Sequence, residues 1–264
     1  MAHNHAGHDH SAHNLEVMSP PWVSMFRSTM LQETSTDEVA AGELPPYPFT
    51  LATVSTTIQN DPLTSTSQKR VLPHARICML RGFAGSATSG ILVTTTDKRM
   101  LKYAQLSDYD NDGVFEACFW FAKSKSQYRM SGASRLIVQK EGELFVVDPT
   151  AGSEEPASED YAKEFNNVWD NLSTSMKLSF IKPPPGTEFT QESIDQMDKV
   201  SQLTDDHHAG KEISQEVISE GKKNFVLVLL LPEFVDYVNV QGVGQRVVFS
   251  LAGKYEWIFH QVCP

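Results

Sequence analysis

The apolar positions of this chain change period twice. Between residues 49 and 147 they fall in short alternating or β-branched runs, and residues 49–56, 74–83, 90–96, 114–122, 127–139 and 143–147 each read as a strand. A short helix at about 99–107 separates two of them. From about 150 to 223 the step becomes three to four residues, carried by Tyr161, Phe165, Val168, Trp169 and Leu172. Lys182-Pro-Pro-Pro-Gly186 interrupts this helical stretch, and one or two amphipathic helices follow to Gly221. Strands then return. Residues 225–231 are wholly apolar, the pattern of a central strand covered on both faces, and 234–240, 246–251 and 255–262 close the chain.

Ahead of the first strand, Ser19-Pro-Pro-Trp22 suits a helix start, with Trp22, Met25, Phe26 and Met30 near one face. Residues 33–48 read as loop and residues 57–73 as a polar, hairpin-like excursion. Strands on both sides of a helical insert imply one antiparallel sheet completed by the C-terminal segment. The expected fold is mainly β (α+β), a closed or partly closed barrel with packed helices, as a single domain over 19–264 with an insert at about 150–223. Residues 1–18 carry His3, His5, His8, His10 and His13 among small polar residues, and read as a disordered tail or a tag.

Charge narrows the classes of partner. Of 264 residues, 22 are Lys or Arg and 33 are Asp or Glu, a net charge of −11, which argues against nucleic acid and anionic lipid as partners. No apolar run reaches the roughly 20 residues of a membrane span, and the N-terminus has neither the basic flank nor the apolar core of a secretory signal. Three scattered cysteines without a CxxC pair fit a reducing compartment, so a cytoplasmic protein is expected.

Several motifs carry little chemistry. Asp108-Tyr-Asp-Asn-Asp-Gly113 opens like a calcium loop, but Phe119 stands where the closing glutamate belongs, so a polar turn is expected and no metal site. Gly242-Val-Gly244 lacks the third glycine of a dinucleotide fingerprint and reads as a hairpin turn. His207-His208 read as exposed loop, and His260 as a structural histidine in the last strand. No nucleophile elbow is present, and no catalytic acid or base stands out.

The informative feature is a set of cations at strand ends. Arg76 and Arg81 are five residues apart, so they point to opposite faces of a regular strand unless Gly82 provides an irregularity. Thr94-Thr95-Thr96-Asp97 leads into Lys98, Arg99 and Lys102 where a strand feeds a helix. Hydroxyls, amides and cations so grouped suit a phosphate, and equally a solvated cationic turn.

At these residues the chain resembles the pyridoxamine-5′-phosphate-oxidase-like FMN-binding proteins, in particular the branch that opens with a Pro-Trp helix. The resemblance rests on Leu-Ala-Thr-Val at 51–54, Arg-x-x-x-Leu-Arg-Gly-Phe at 76–83, Thr-Asp-x-Arg-x-x-Lys at 96–102 and Gln-Tyr-Arg-x-Ser-Gly at 127–132. Trp169-x-x-Leu172-Ser173, 183–186, the run from Phe225 and the closing segment from Trp257 add to it, over roughly residues 19–264. It implies a split β-barrel that dimerises with FMN at the subunit interface. Arg76 and Arg81, with the backbone of Ile77, Met79 and Leu80, would flank the flavin and its phosphate. Thr95 and Thr96 would meet the flavin, Lys102 the phosphate with Arg99 assisting, Gln127 the ring edge, and Arg246 is a weaker match to a late cofactor-binding arginine.

Met100 stands in place of a usual serine, and Leu101 in place of a second phosphate-binding arginine. The segments that hold pyridoxal phosphate in true oxidases have no counterpart between Pro149 and Trp169 or near Val243-Gly244-Gln245. The resemblance therefore implies an FMN-dependent oxidoreductase without the vitamin-B6 substrate motifs, or an FMN-binding sensor or storage protein.

Overall fold

A computed structural model describes residues 19–34, 44–60, 67–253 and 256–264. The tail expectation for residues 1–18 and most of the loop expected at 33–48 fall outside the described residues.

The alternating runs pair in a ring. Strand β1 (Tyr47–Asn60) pairs with β2 (Ser67–Leu80) over its whole length, from Tyr47 opposite Leu80 to Asn60 opposite Ser67. The excursion expected at 57–73 is thus mostly a continuation of two strands. The middle of β1 pairs with β5 (Val114–Phe121), β5 with β6 (Ser126–Lys140), and β6 with β9 (Phe225–Asn239). The first part of β9 pairs with β4 (Leu92–Asp97), and β4 with the two-residue β3 (Gly82–Phe83). The Arg81 N–H donates to the Val93 carbonyl at 2.7 Å and Thr94 Oγ1 to the Met79 carbonyl at 2.9 Å, which joins β2 to β4.

Two strands outlast the ring. The far part of β9 pairs with β10 (Gln245–Leu251), itself paired with β11 (Trp257–Val262). The far part of β6 pairs with β7 (Glu143–Asp148), which pairs with the short β8 (Ser153–Pro156). All the strands form one 11-stranded sheet, a split barrel.

Period-2 geometry explains the unbroken apolar run in β9. Val226, Val228 and Leu230 enter the barrel core with Leu51, Leu80, Leu92, Phe119 and Met130. Phe225, Leu227 and Leu229 face the other way, onto Tyr161, Phe165 and Trp169 of α3 (Glu159–Asp170). Helix α1 (Pro21–Thr34) buries Trp22, Val23, Phe26 and Met30 completely. Phe26 stands edge-on to Phe83, Phe119, Phe121 and Tyr128, with centroids 5.0–6.1 Å apart.

The runs at 225–231 and 234–240, expected as two strands, are one continuous strand, β9. The register passes from Ser131 opposite Phe234 to Gly132 opposite Pro232, so Glu233 is an extra residue in a bulge. Gly132 is required there, because a Cβ on it would lie 2.0 Å from the Leu231 carbonyl oxygen.

Helix α2 (Leu101–Leu106) touches β1, β4 and β6 and closes one end of the barrel. The insert holds α3, α4 (Thr174–Ser179), α5 (Gln191–His208) and α6 (Gln215–Lys222). His207 and His208 form the last turn of α5 rather than a loop, where a helix C-terminus favours positive charge. His260 is exposed on β11, not enclosed as a structural histidine. Asp108 caps a 3-10 turn (Tyr109–Asn111), accepting from the Asp110 N–H at 3.0 Å and from the Asn111 amide. Gly242 and Gly244, with φ of 61° and 76°, make the β9–β10 hairpin.

Candidate functional site

Strand parity places Arg76, Cys78 and Leu80 on the inner side of β2, and Ile77, Met79 and Arg81 on the outer side. At the barrel end closed by α2, the inner set meets the helix. Arg76 donates to Gln105 Oε1 at 2.7 Å, to Thr53 Oγ1 at 2.5 Å and to the Leu51 carbonyl at 3.5 Å. Thr53 also donates to Gln105 Oε1 at 2.6 Å. Lys102, one turn before Gln105 on α2, brings its Nζ to 3.8 Å from Cys78 Sγ. Two cations thus flank one buried thiol.

The electrostatics agree with a site built for an anion. Burial pushes the Cys78 thiol up, against the pull of Lys102 and Arg76, which lower it. Burial lowers Arg76, so its charge is costly as it stands. Among the described residues neither Arg76 nor Lys102 has a carboxylate ion partner. Gln105 Nε2 is buried and has no hydrogen-bond partner, because its oxygen is turned to Arg76 and Thr53. Two cations and a spare amide donor fit a phosphate, which carries about two negative charges and accepts several hydrogen bonds.

The other cations are placed differently. Arg99 is held by Asp97, with Nε at 2.9 Å and Nη2 at 2.6 Å, and by the carbonyls of Phe180 at 2.9 Å and Lys182 at 3.0 Å. It ties α4 to the barrel and is not brought to the cradle. Thr96 is buried, with its hydroxyl on the Asp97 carbonyl at 3.4 Å, whereas Thr95 is half-exposed on the outer face. Leu80 is fully buried, so only its backbone can serve a ligand.

Arg81 lies on the outer side, between β2 and β3, where its Nε is buried without a partner. Burial alone lowers its basicity. It lines a cavity of about 590 Å³ between α1, the loop after β3 and α3, with Arg27, Phe83, Glu164, Asn167 and Asn171. The sequence reading foresaw the opposite facing of Arg76 and Arg81, and no bulge reverses it.

Gln127 and Arg246 sit at the far end of the sheet. Gln127 lies opposite Trp120 on one side and Val238 on the other, and Val238 lies opposite Arg246. Arg246 is bound to buried Asp236 at 2.9 Å through both Nε and Nη2, and Arg129 meets the same carboxylate at 2.5 Å. Thr95 pairs with Leu227 and Gln127 with Val238, eleven residues further along β9, or roughly 35 Å of strand. Among the described residues no hydrogen bond or ion pair joins Gln127 or Arg246 to Arg76 or Lys102.

Thr53 and Gln105 escaped the sequence reading. Their signal is spacing: Thr53 continues the inward parity of Leu51, and Gln105 stands three residues after Lys102 on one helix.

Comparison with known proteins places this geometry. Residues 19–138, which contain the cradle, match the family model "Pyridoxamine 5'-phosphate oxidase, FMN-binding domain". The uncharacterized protein YGR017W of Saccharomyces cerevisiae is 32% identical over 114 residues, 41% of this chain and 35% of the yeast protein, so the match spans about a third of that relative. A pyridoxamine 5'-phosphate oxidase-related, FMN binding protein from Nostoc punctiforme superposes with a TM-score of 0.63 at 22% identity, covering 94% of this chain and 100% of the other. PhzG from Burkholderia lata, solved with tetrahydrophenazine-1-carboxylic acid, superposes with a TM-score of 0.58 at 14% identity over 94% of each chain. At such identities these two structures establish the fold.

Proposed function

We propose that this chain, whose residues 19–138 belong to the pyridoxamine 5'-phosphate oxidase FMN-binding domain family, is an FMN-dependent oxidoreductase acting on a small substrate other than pyridoxamine phosphate. The observation that carries the proposal is the Arg76–Lys102 pair around Cys78, two cations without a carboxylate partner among the described residues and inside the FMN-binding domain. Arg76 and Lys102 would hold the phosphate, and the Gln105 amide would donate to it. The bound flavin would supply two-electron chemistry, taking a hydride from the substrate and passing electrons to an acceptor. The protein's part is to orient the ring and exclude water from one face of it.

The working unit in this reading is a homodimer with FMN at the interface. The absence, among the described residues, of any hydrogen bond or ion pair between Gln127 and the Arg76–Lys102 cradle supports it, since a second copy would supply the ring-edge group. So do the exposed apolar residues beside the two groups, with Ile77 67% and Trp120 47% exposed. The missing pyridoxal phosphate segments support a different substrate.

The purified protein's visible spectrum tests the reading. A flavin band released as FMN on denaturation is expected, and a colourless protein that ignores added FMN would refute it. Incubation with pyridoxamine phosphate should yield little hydrogen peroxide, and rapid peroxide production would refute the substrate claim.

A further inference from the structure

The cavity beside Arg81 has a lining unlike that of a phosphate site. Among the described residues Arg81 has a buried Nε with no partner, and no acidic group compensates its charge. Glu164 lines the same cavity from α3 and receives one hydrogen bond, from the Gly85 N–H at 3.2 Å. Burial pushes its carboxyl up in spite of that bond. Among the described residues Arg81 and Glu164 form no ion pair with each other or with anything else. A half-buried cation and a half-buried carboxyl on one cavity wall, each without an ion partner among the described residues, are each costly. Both are relieved by a single guest with an acceptor at one end and a donor at the other.

The rest of the wall defines the body of that guest. Phe83, Val93 and Val168 give apolar faces, and Asn167 and Asn171 add neutral amides. At about 590 Å³ the space is that of a small-molecule pocket. Arg27, the other cation of the wall, donates to the Ala87 carbonyl at 2.7 Å and so holds the loop. A phosphate ester would set its double charge against Glu164, which costs affinity.

We propose that this cavity binds a small flat molecule with a carboxylate for Arg81 and an amine or ring N–H for Glu164, an amino- or N-heterocyclic carboxylate rather than a phosphate ester. Its role as the substrate's seat rests on the flavoprotein reading, but the binding does not.

Isothermal titration of the protein, FMN-loaded and FMN-free, with the three aminobenzoate isomers, benzoate, aniline and phenyl phosphate tests this. The best aminobenzoate should bind at least about tenfold more tightly than benzoate or aniline, the scale of one charge-assisted hydrogen bond, with phenyl phosphate weaker still. Glu164→Gln should erase the advantage over benzoate, and Arg81→Gln should weaken both carboxylates by about tenfold or more. A melting curve of Glu164→Gln, expected to be no less stable than the parent, excludes misfolding as the cause. Phenyl phosphate outbinding every aminobenzoate, an unchanged preference in Glu164→Gln, or loss of aminobenzoate binding on FMN loading would each overturn the proposal. A protein that binds aminobenzoate but never FMN would overturn the flavoprotein reading alone.

Discussion

At the residue scale, the site depends on charges that the fold leaves uncompensated. Arg76 and Lys102 each stand beside Cys78 with no carboxylate ion partner among the described residues, so an anion gains more there than at a solvated surface. Arg76→Ala or Lys102→Ala should each weaken FMN binding by about 1–3 kcal/mol, readable by fluorescence titration of the FMN-free protein. Gln105→Leu should weaken it less, because it removes a neutral donor and leaves both cations. Glu164 behaves in the opposite sense. Its folded carboxyl titrates above the unfolded value of about 4.3, so stability is lost as the pH rises from that value, and the loss is complete once the pH exceeds the folded value. Glu164→Gln should therefore melt higher than the parent at pH 7, and the difference should vanish below about pH 4, where the carboxyl is protonated in both states.

At the element scale, three strands are pinned by one carboxylate. Asp236 on β9 binds Arg129 on β6 and Arg246 on β10. Burial opposes its ionisation, but the two guanidiniums prevail and hold the carboxyl below the usual range. That stabilisation is present above the unfolded value of about 3.9 and is lost as the pH falls through the folded value. Acid melting of the parent should thus steepen below about pH 4, and Asp236→Asn should flatten that dependence while lowering stability at pH 7. Helix α1 is held by packing instead. Phe26 meets four aromatic rings of the barrel and is fully buried, so Phe26→Ala should cost about 3–5 kcal/mol in chemical denaturation.

At the scale of the whole molecule, the homodimer reading makes the far end of the sheet part of the site. Sedimentation should give twice the monomer mass of 29.4 kDa. Ile77→Asp or Trp120→Asp, each at an exposed apolar position, should shift the protein toward monomer and weaken FMN binding together. A monomer with undiminished FMN affinity would refute the shared site.

Local pattern by itself determined the order of strands and helices, because period 2 and period 3.6 are properties of neighbouring residues. Thus β4, β5 and β6 and the helical insert lie within a few residues of where alternation and helical spacing put them. It also set Arg76 and Arg81 on opposite faces unless Gly82 interrupted the strand, a condition only the folded chain could decide. Only tertiary contact decided the rest. The resemblance gives Arg99 an assisting part beside Lys102, but Asp97 and the carbonyls of Phe180 and Lys182, just past α4, claim it. The apolar pattern divides 225–231 from 234–240, but pairing on both sides of β9 joins them through a bulge opposite Gly132. The cavity between Arg81 and Glu164 joins residues 83 positions apart. Which cations find partners, and which are left for a ligand, depends on what the folded chain brings opposite them, and no local period encodes that.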